Sequence, residues 1–232
     1  MKDEMEEKQV FFGQRKIRLE GLFADSGREI GAVISHPHPL MGGDMMNSVV
    51  EILTQALFAG GISTLRFNFR GVGASAGSFD EGRGEQQDVL AALSFLEERN
   101  IREILLAGYS FGAWVNALAL TGMNRQNALL VSPPIRLFDF DVQALRGKVG
   151  LIVYGDRDPF CPPEPIQIMA DDLPCRLDRI PDADHFFTTK ERELAACVTA
   201  FAERWRPLRD KTSLKYPRDS NGSALRVKGD RI

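Results

Sequence analysis

The apolar residues change period several times along the chain, and each change predicts an element. Within residues 10–25 the alternation Ile17, Leu19, Gly21, Phe23 has the period of a half-buried strand or hairpin arm, and Ser26 and Gly27 supply the turn after it. Residues 29–35 and 63–69 are short apolar runs bounded by turn residues, which predicts two central strands. Between them, residues 47–59 carry Val50, Leu53, Leu57 and Phe58 at helical spacing, and Gly60 and Gly61 end that helix. The alternation continues with a helix near 85–98, a strand at 103–107, a helix after Phe111, and strands at Ala128–Val131 and 149–154. A helix near 163–171, a strand at Arg176–Ile180 and a closing helix near 189–205 complete it. Strands that are continuously apolar and alternate with helices imply a mostly parallel, twisted sheet covered on both faces, so the fold class is α/β.

Composition agrees with one folded domain: 232 residues, 44% hydrophobic and 26% charged, are enough to bury a core without a metal or disulfide. The chain divides into a charged extension (1–9), the α/β domain (10–205) and a tail (206–232). The tail holds eight Lys/Arg against three Asp, a charge of +5 that leaves the body at −8, so the body is expected to repel nucleic acid. Only 7 of its 27 residues are hydrophobic, the composition of a solvated, disordered extension.

Cys161, Cys175 and Cys197 are too few and too far apart for a disulfide framework or a CxxC site. The charged opening MKDEMEEK is the reverse of a secretory signal, so a cytoplasmic location is expected. Residues 104–124 are 21 uncharged positions, long enough to suggest a membrane span. Ser110, Asn116, Asn124 and three glycines within them favour a buried strand and helix joined by a tight turn. The expected partner is a small-molecule substrate, with no nucleic acid and no membrane; the sequence specifies no oligomeric state.

That turn is GYSFG, Gly108–Gly112, a G-x-S-x-G pattern between a predicted strand and a predicted helix. Glycines flanking Ser110 permit a bend too sharp for side chains, and a helix starting just after it offers free N–H groups beside the hydroxyl. A serine hydroxyl needs a base held by a carboxylate. In elbows of this type the partners follow in the order nucleophile, acid, base. Of the three histidines only His185, in DADHFF, lies downstream of Ser110. The acid candidate is Asp158 in GDRDPF, with Asp156 as the alternative and Asp139 and Asp141 behind it. Asp184 is read as a charge beside His185 rather than as its orienting acid. Acyl transfer also needs two donors for the developing oxyanion. The N–H of Phe111 is one; in HPHPLMGG the prolines have none, so His38, then Leu40 or Met41, is the other.

Two further segments are read structurally. GVGASAG, residues 71–77, lacks the ending of a phosphate loop and reads as a turn that walls the site. Asp80, Glu81, Glu85 and Asp88 suit the solvated first turns of a helix, not a metal site. No cofactor and no metal are called for.

Taken together, HPHPLMGGDMMN (36–47), residues 66–88, GYSFG, GDRDP and DADHFF resemble the α/β-hydrolase superfamily, and within it the small capless bacterial hydrolases, over about residues 10–205. The resemblance implies an α/β-hydrolase fold without a cap domain, with Ser110, Asp158 and His185 as nucleophile, acid and base. His38 and Phe111 stand as the oxyanion donors. One departure is Asp184, where the superfamily often has a small residue. Only 17 residues separate the strands on either side of 132–148, too few for a helical cap, so an open site with an apolar lip around Pro133, Pro134, Ile135, Leu137, Phe138 and Phe140 is expected. The expected activity is a serine-dependent carboxylic ester hydrolase acting on small acyl or aromatic esters. A peptidase or acyltransferase with the same triad is the alternative, as is a non-catalytic binding protein on this fold.

Overall fold

A computed structural model describes residues 5–13, 17–122 and 128–205. Its eight strands are β1 (Lys8–Phe12), β2 (Leu19–Ala24), β3 (Ile30–Ser35), β4 (Ser63–Phe67), β5 (Glu103–Tyr109), β6 (Ala128–Val131), β7 (Val149–Gly155) and β8 (Arg176–Ile180). They form one sheet in the order β1-β2-β4-β3-β5-β6-β7-β8. The β1–β2 and β2–β4 pairs are antiparallel and all others parallel.

The helices are α1 (Ser48–Ala59), α2 (Arg83–Glu97), α3 (Phe111–Thr121), α4 (Val142–Leu145), α5 (Pro163–Asp172) and α6 (Glu191–Arg204). Helices α1 and α6 cover one face, where Leu53, Leu57, Leu194 and Val198 meet Ile34, Leu105 and Val153. Helices α2, α3 and α5 cover the other, where Leu96, Val115 and Ile166 join the cluster of Val33, Leu106 and Ile152. Successive strand residues serve opposite layers, which is why the central strands are apolar without interruption.

The uncharged stretch from Ile104 splits into β5 and α3, and among the described residues no helix is long and apolar enough to cross a membrane. Residues 132–148 hold only the single turn of α4, and among the described residues no lid covers the strand ends there.

Three expectations change. Of the segment read as a charged extension, 1–9, residues 7–9 enter the fold: Lys8 and Gln9 pair with Phe23 and Leu22, and Glu7 takes hydrogen bonds from Arg66 at 2.8 Å and 2.5 Å. Arg66 is buried on β4, and a guanidinium there requires a carboxylate partner, which composition does not reveal. The strand expected over 63–69 ends at Phe67: the Asn68 N–H still donates to the Glu20 carbonyl at 2.9 Å, but the Phe69 N–H turns to a histidine ring. Glu85 and Asp88 are buried rather than solvated. Glu85 accepts the Asp80 and Gly82 N–H groups, and Asp88 grips the Arg70 guanidinium and N–H, so the two organise the loop entering α2. The tail at 206–232 lies outside the described residues.

Candidate active site

The site lies at the carboxyl edge of the sheet, where β3, β5, β7 and β8 release their loops. Ser110 follows β5 directly with φ 54° and ψ −121°, a conformation costly for a residue with a Cβ. It persists because its surroundings admit nothing larger. A Cβ on Gly108 would lie 2.6 Å from the Gly112 backbone, and one on Gly112 would lie 2.3 Å from the Ser35 carbonyl oxygen. The elbow thus presses α3 against the end of β3, and the Ser110 N–H is tied to the Val131 carbonyl at 2.9 Å.

Ser110, Asp158 and His185 converge in a hydrogen-bonded chain. His185 Nε2 is 3.0 Å from Ser110 Oγ, and its Nδ1 is 2.7 Å from Asp158 Oδ2. All three are buried. Asp158 is itself held, since its Oδ1 accepts the Phe160 N–H at 2.8 Å and the Cys161 N–H at 3.2 Å. The other carboxylates go elsewhere. Asp156 accepts the Asp182 N–H, and Asp141 caps α4 through the Ala144 N–H. Asp139 offers its main-chain carbonyl to the Trp114 indole. Asp184 turns into its own loop and accepts the Phe186 and Thr188 N–H groups. Partial burial opposes its ionisation, but those bonds outweigh it and hold the carboxyl below its ordinary range.

The β3–α1 loop brings His38 beside Phe111. The His38 carbonyl accepts from Met41 and Gly43, its Nδ1 accepts the Leu40 N–H at 3.2 Å, and its ring packs between Phe79 and Phe111. Among the described residues, the N–H groups of His38 and Phe111 donate to nothing. Phe111 opens α3, where free N–H groups and the helix dipole favour negative charge.

Two residues of this site escaped sequence reasoning. His36, fully buried, donates from Nδ1 to the Pro37 carbonyl at 2.6 Å and accepts the Phe69 N–H at Nε2, 3.0 Å away. Burial, which dominates the Pro37 bond, pushes its pKa down to about 4, so the ring is a neutral brace between two loops. Its only sequence signal was position, directly after a strand. Tyr109 donates its hydroxyl to the His185 main-chain carbonyl at 3.0 Å, with its ring 5.4 Å from the imidazole. A tyrosine ending an otherwise aliphatic strand beside a serine was the available hint.

No protein-family model matches the chain. An uncharacterised protein of Rickettsia prowazekii (strain Madrid E) is 33% identical over 208 residues, covering 83% of this chain and 87% of its own. An alpha-beta serine hydrolase homologue from Coxiella burnetii superposes with a TM-score of 0.77 at 32% identity, over 83% of this chain and 96% of the other. A Xanthomonas campestris protein described as an a/b serine hydrolase without lid gives 0.76 at 31% identity, over 86% and 95%. The fold, the strand order and these relatives define the class, and the chain belongs to the α/β-hydrolase family. Within that family its similarity extends to a member lacking a lid, in keeping with its own short β6–β7 connection.

Proposed function

We propose that the protein is a serine-dependent carboxylic ester hydrolase. The observation that carries this reading is the continuous chain from Asp158 through His185 to Ser110, with 2.7 Å and 3.0 Å links inside a buried edge of the sheet. Ser110 Oγ attacks the ester carbonyl while His185 Nε2 takes its proton. Asp158 holds Nδ1–H, which leaves Nε2 free to accept, and stabilises the imidazolium as it forms. The tetrahedral oxyanion is received by the His38 and Phe111 N–H groups, which have no competing acceptor among the described residues. His185 then protonates the departing alcohol, and water, activated by the same imidazole, releases the acid from Ser110.

The lip of the site is largely apolar, with Leu137 exposed, Ile135 and Phe140 half-buried and Phe138 stacked on Trp114, and with Arg136 and Asp139 exposed between them. Such a surface favours small acyl or aromatic esters over strongly charged substrates. Intact-mass detection of a fluorophosphonate adduct, with Ser110→Ala as control, tests the reading. One adduct per chain that vanishes in the variant is expected. A folded wild-type protein that takes no label would overturn it.

A further inference from the structure

Resting on the ester-hydrolase reading, we propose that Phe186, backed by Phe160 and Leu137, forms an apolar subsite for the alcohol half of the ester. On collapse of the tetrahedral intermediate the bond between carbon and the alcohol oxygen breaks, its electron pair stays with that oxygen, and the proton taken from Ser110 passes to it from His185 Nε2. The alcohol oxygen must therefore lie within hydrogen-bond reach of Nε2, and the group it carries leaves along the His185 side of the site.

Three aromatic rings surround the imidazole. Tyr109 lies beneath it, buried, with its hydroxyl spent on the His185 carbonyl. The outer two are Phe160, 4.9 Å away, and Phe186, 5.5 Å away, both edge-on to the ring. Phe186 is 63% exposed, whereas its neighbour Phe187 is fully buried and anchors the loop. A large ring held outward beside the proton donor adds nothing to the core; it offers contact area to whatever leaves past His185. The Phe160 carbonyl accepts the Arg136 N–H at 3.2 Å, which brings the β6–α4 connection alongside and with it Leu137, 58% exposed. The Asp184 carboxylate is engaged within its own loop, where it accepts the Phe186 and Thr188 N–H groups, and the exposed Arg136 guanidinium is held at the Pro159 carbonyl, 3.5 Å away. Phe186, Phe160 and Leu137 thus offer hydrocarbon to the leaving group, and the alcohol that suits them is an extended alkyl or aryl alcohol.

Two ester series separate the halves of the substrate: acetates of methyl, butyl, hexyl and benzyl alcohol, and methyl esters of acids of increasing length. For Phe186→Ser, the ratio of kcat/KM for hexyl over methyl acetate should fall about tenfold relative to wild type, as for other losses of apolar contact in a pocket. Phe186→Leu should retain most of the ratio, and Leu137→Ser should lower it less. The acyl-length profile should keep the wild-type slope. An unchanged alcohol ratio in Phe186→Ser would overturn the subsite, and so would an equal change in both series. Each variant is first titrated with fluorophosphonate, so the ratios refer to folded, labelled protein. Absence of labelling in the wild type would instead remove the ester-hydrolase reading itself.

Discussion

His36 and His185 are both buried, both lie just beyond a strand at the same edge of the sheet, and both have two bonded ring nitrogens. Their partners separate them. At His36 the Nε2 lone pair is taken by the Phe69 N–H and Nδ1–H is given to a carbonyl, so adding a proton would set two donors face to face. At His185 one nitrogen meets a carboxylate and the other a hydroxyl, the arrangement on which the proposed proton transfer rests. Burial alone thus makes neither a brace nor a proton carrier. A fixed main-chain donor locks the first ring neutral, while the second has a carboxylate on one nitrogen and a hydroxyl on the other.

The comparison breaks most sharply at the His185 end. Ser110→Ala and His185→Ala should each lower kcat by about 10⁴- to 10⁶-fold on a p-nitrophenyl ester, with unchanged circular dichroism. The double variant should lose little more; multiplicative losses would show that the two groups do not act together. Asp158→Asn should cost about 10⁴-fold, since an amide stabilises neither the Nδ1–H tautomer nor the imidazolium. Asp156→Asn, whose carboxylate serves the Asp182 N–H, should stay close to wild type in the same assay.

The brace has its effect on stability. Because the folded pKa of His36 is lowered to about 4, the unfolded chain binds its proton first as pH falls. The stabilisation is complete above the unfolded value and is lost as pH drops from about 6.5 to about 4, amounting to about 3 kcal/mol. Urea unfolding at pH 7 and pH 4.5 measures it. In His36→Gln, whose side-chain oxygen can accept the Phe69 N–H but does not titrate, the difference between the two midpoints should shrink. A smaller effect belongs to Tyr109→Phe. Losing one hydrogen bond to the His185 carbonyl should lower kcat several-fold, about 1 kcal/mol, with KM nearly constant. A fall in Tm with kcat intact would reduce Tyr109 to a packing role.

Much of this was legible before folding because the information is local. The periods of the apolar runs place each principal strand and helix within a few residues of where it lies, since alternating layers demand continuous apolar strands and amphipathic helices. GYSFG was legible as a local pattern, although only Gly108 is required by its own turn, through the Gly112 backbone, whereas Gly112 is required by the Ser35 carbonyl at the end of β3. Asp158 was separable from Asp156 only by its place beyond β7, and the hydrogen bonds that distinguish them come from residues 26 and 27 positions away.

What the sequence determined by itself is therefore the α/β layering, the tight Gly108–Gly112 turn between a strand and a helix, and a short list of candidate residues beside it. Tertiary structure alone decided which carboxylate meets His185, why His36 is a brace, how Tyr109 reaches over 76 positions to the histidine loop, and that Glu7 is part of the body. The physical reason is range. Propensity and periodicity act over a few residues, whereas a buried polar group must find its partner wherever the sheet order brings one, and that order joins strands distant in the chain.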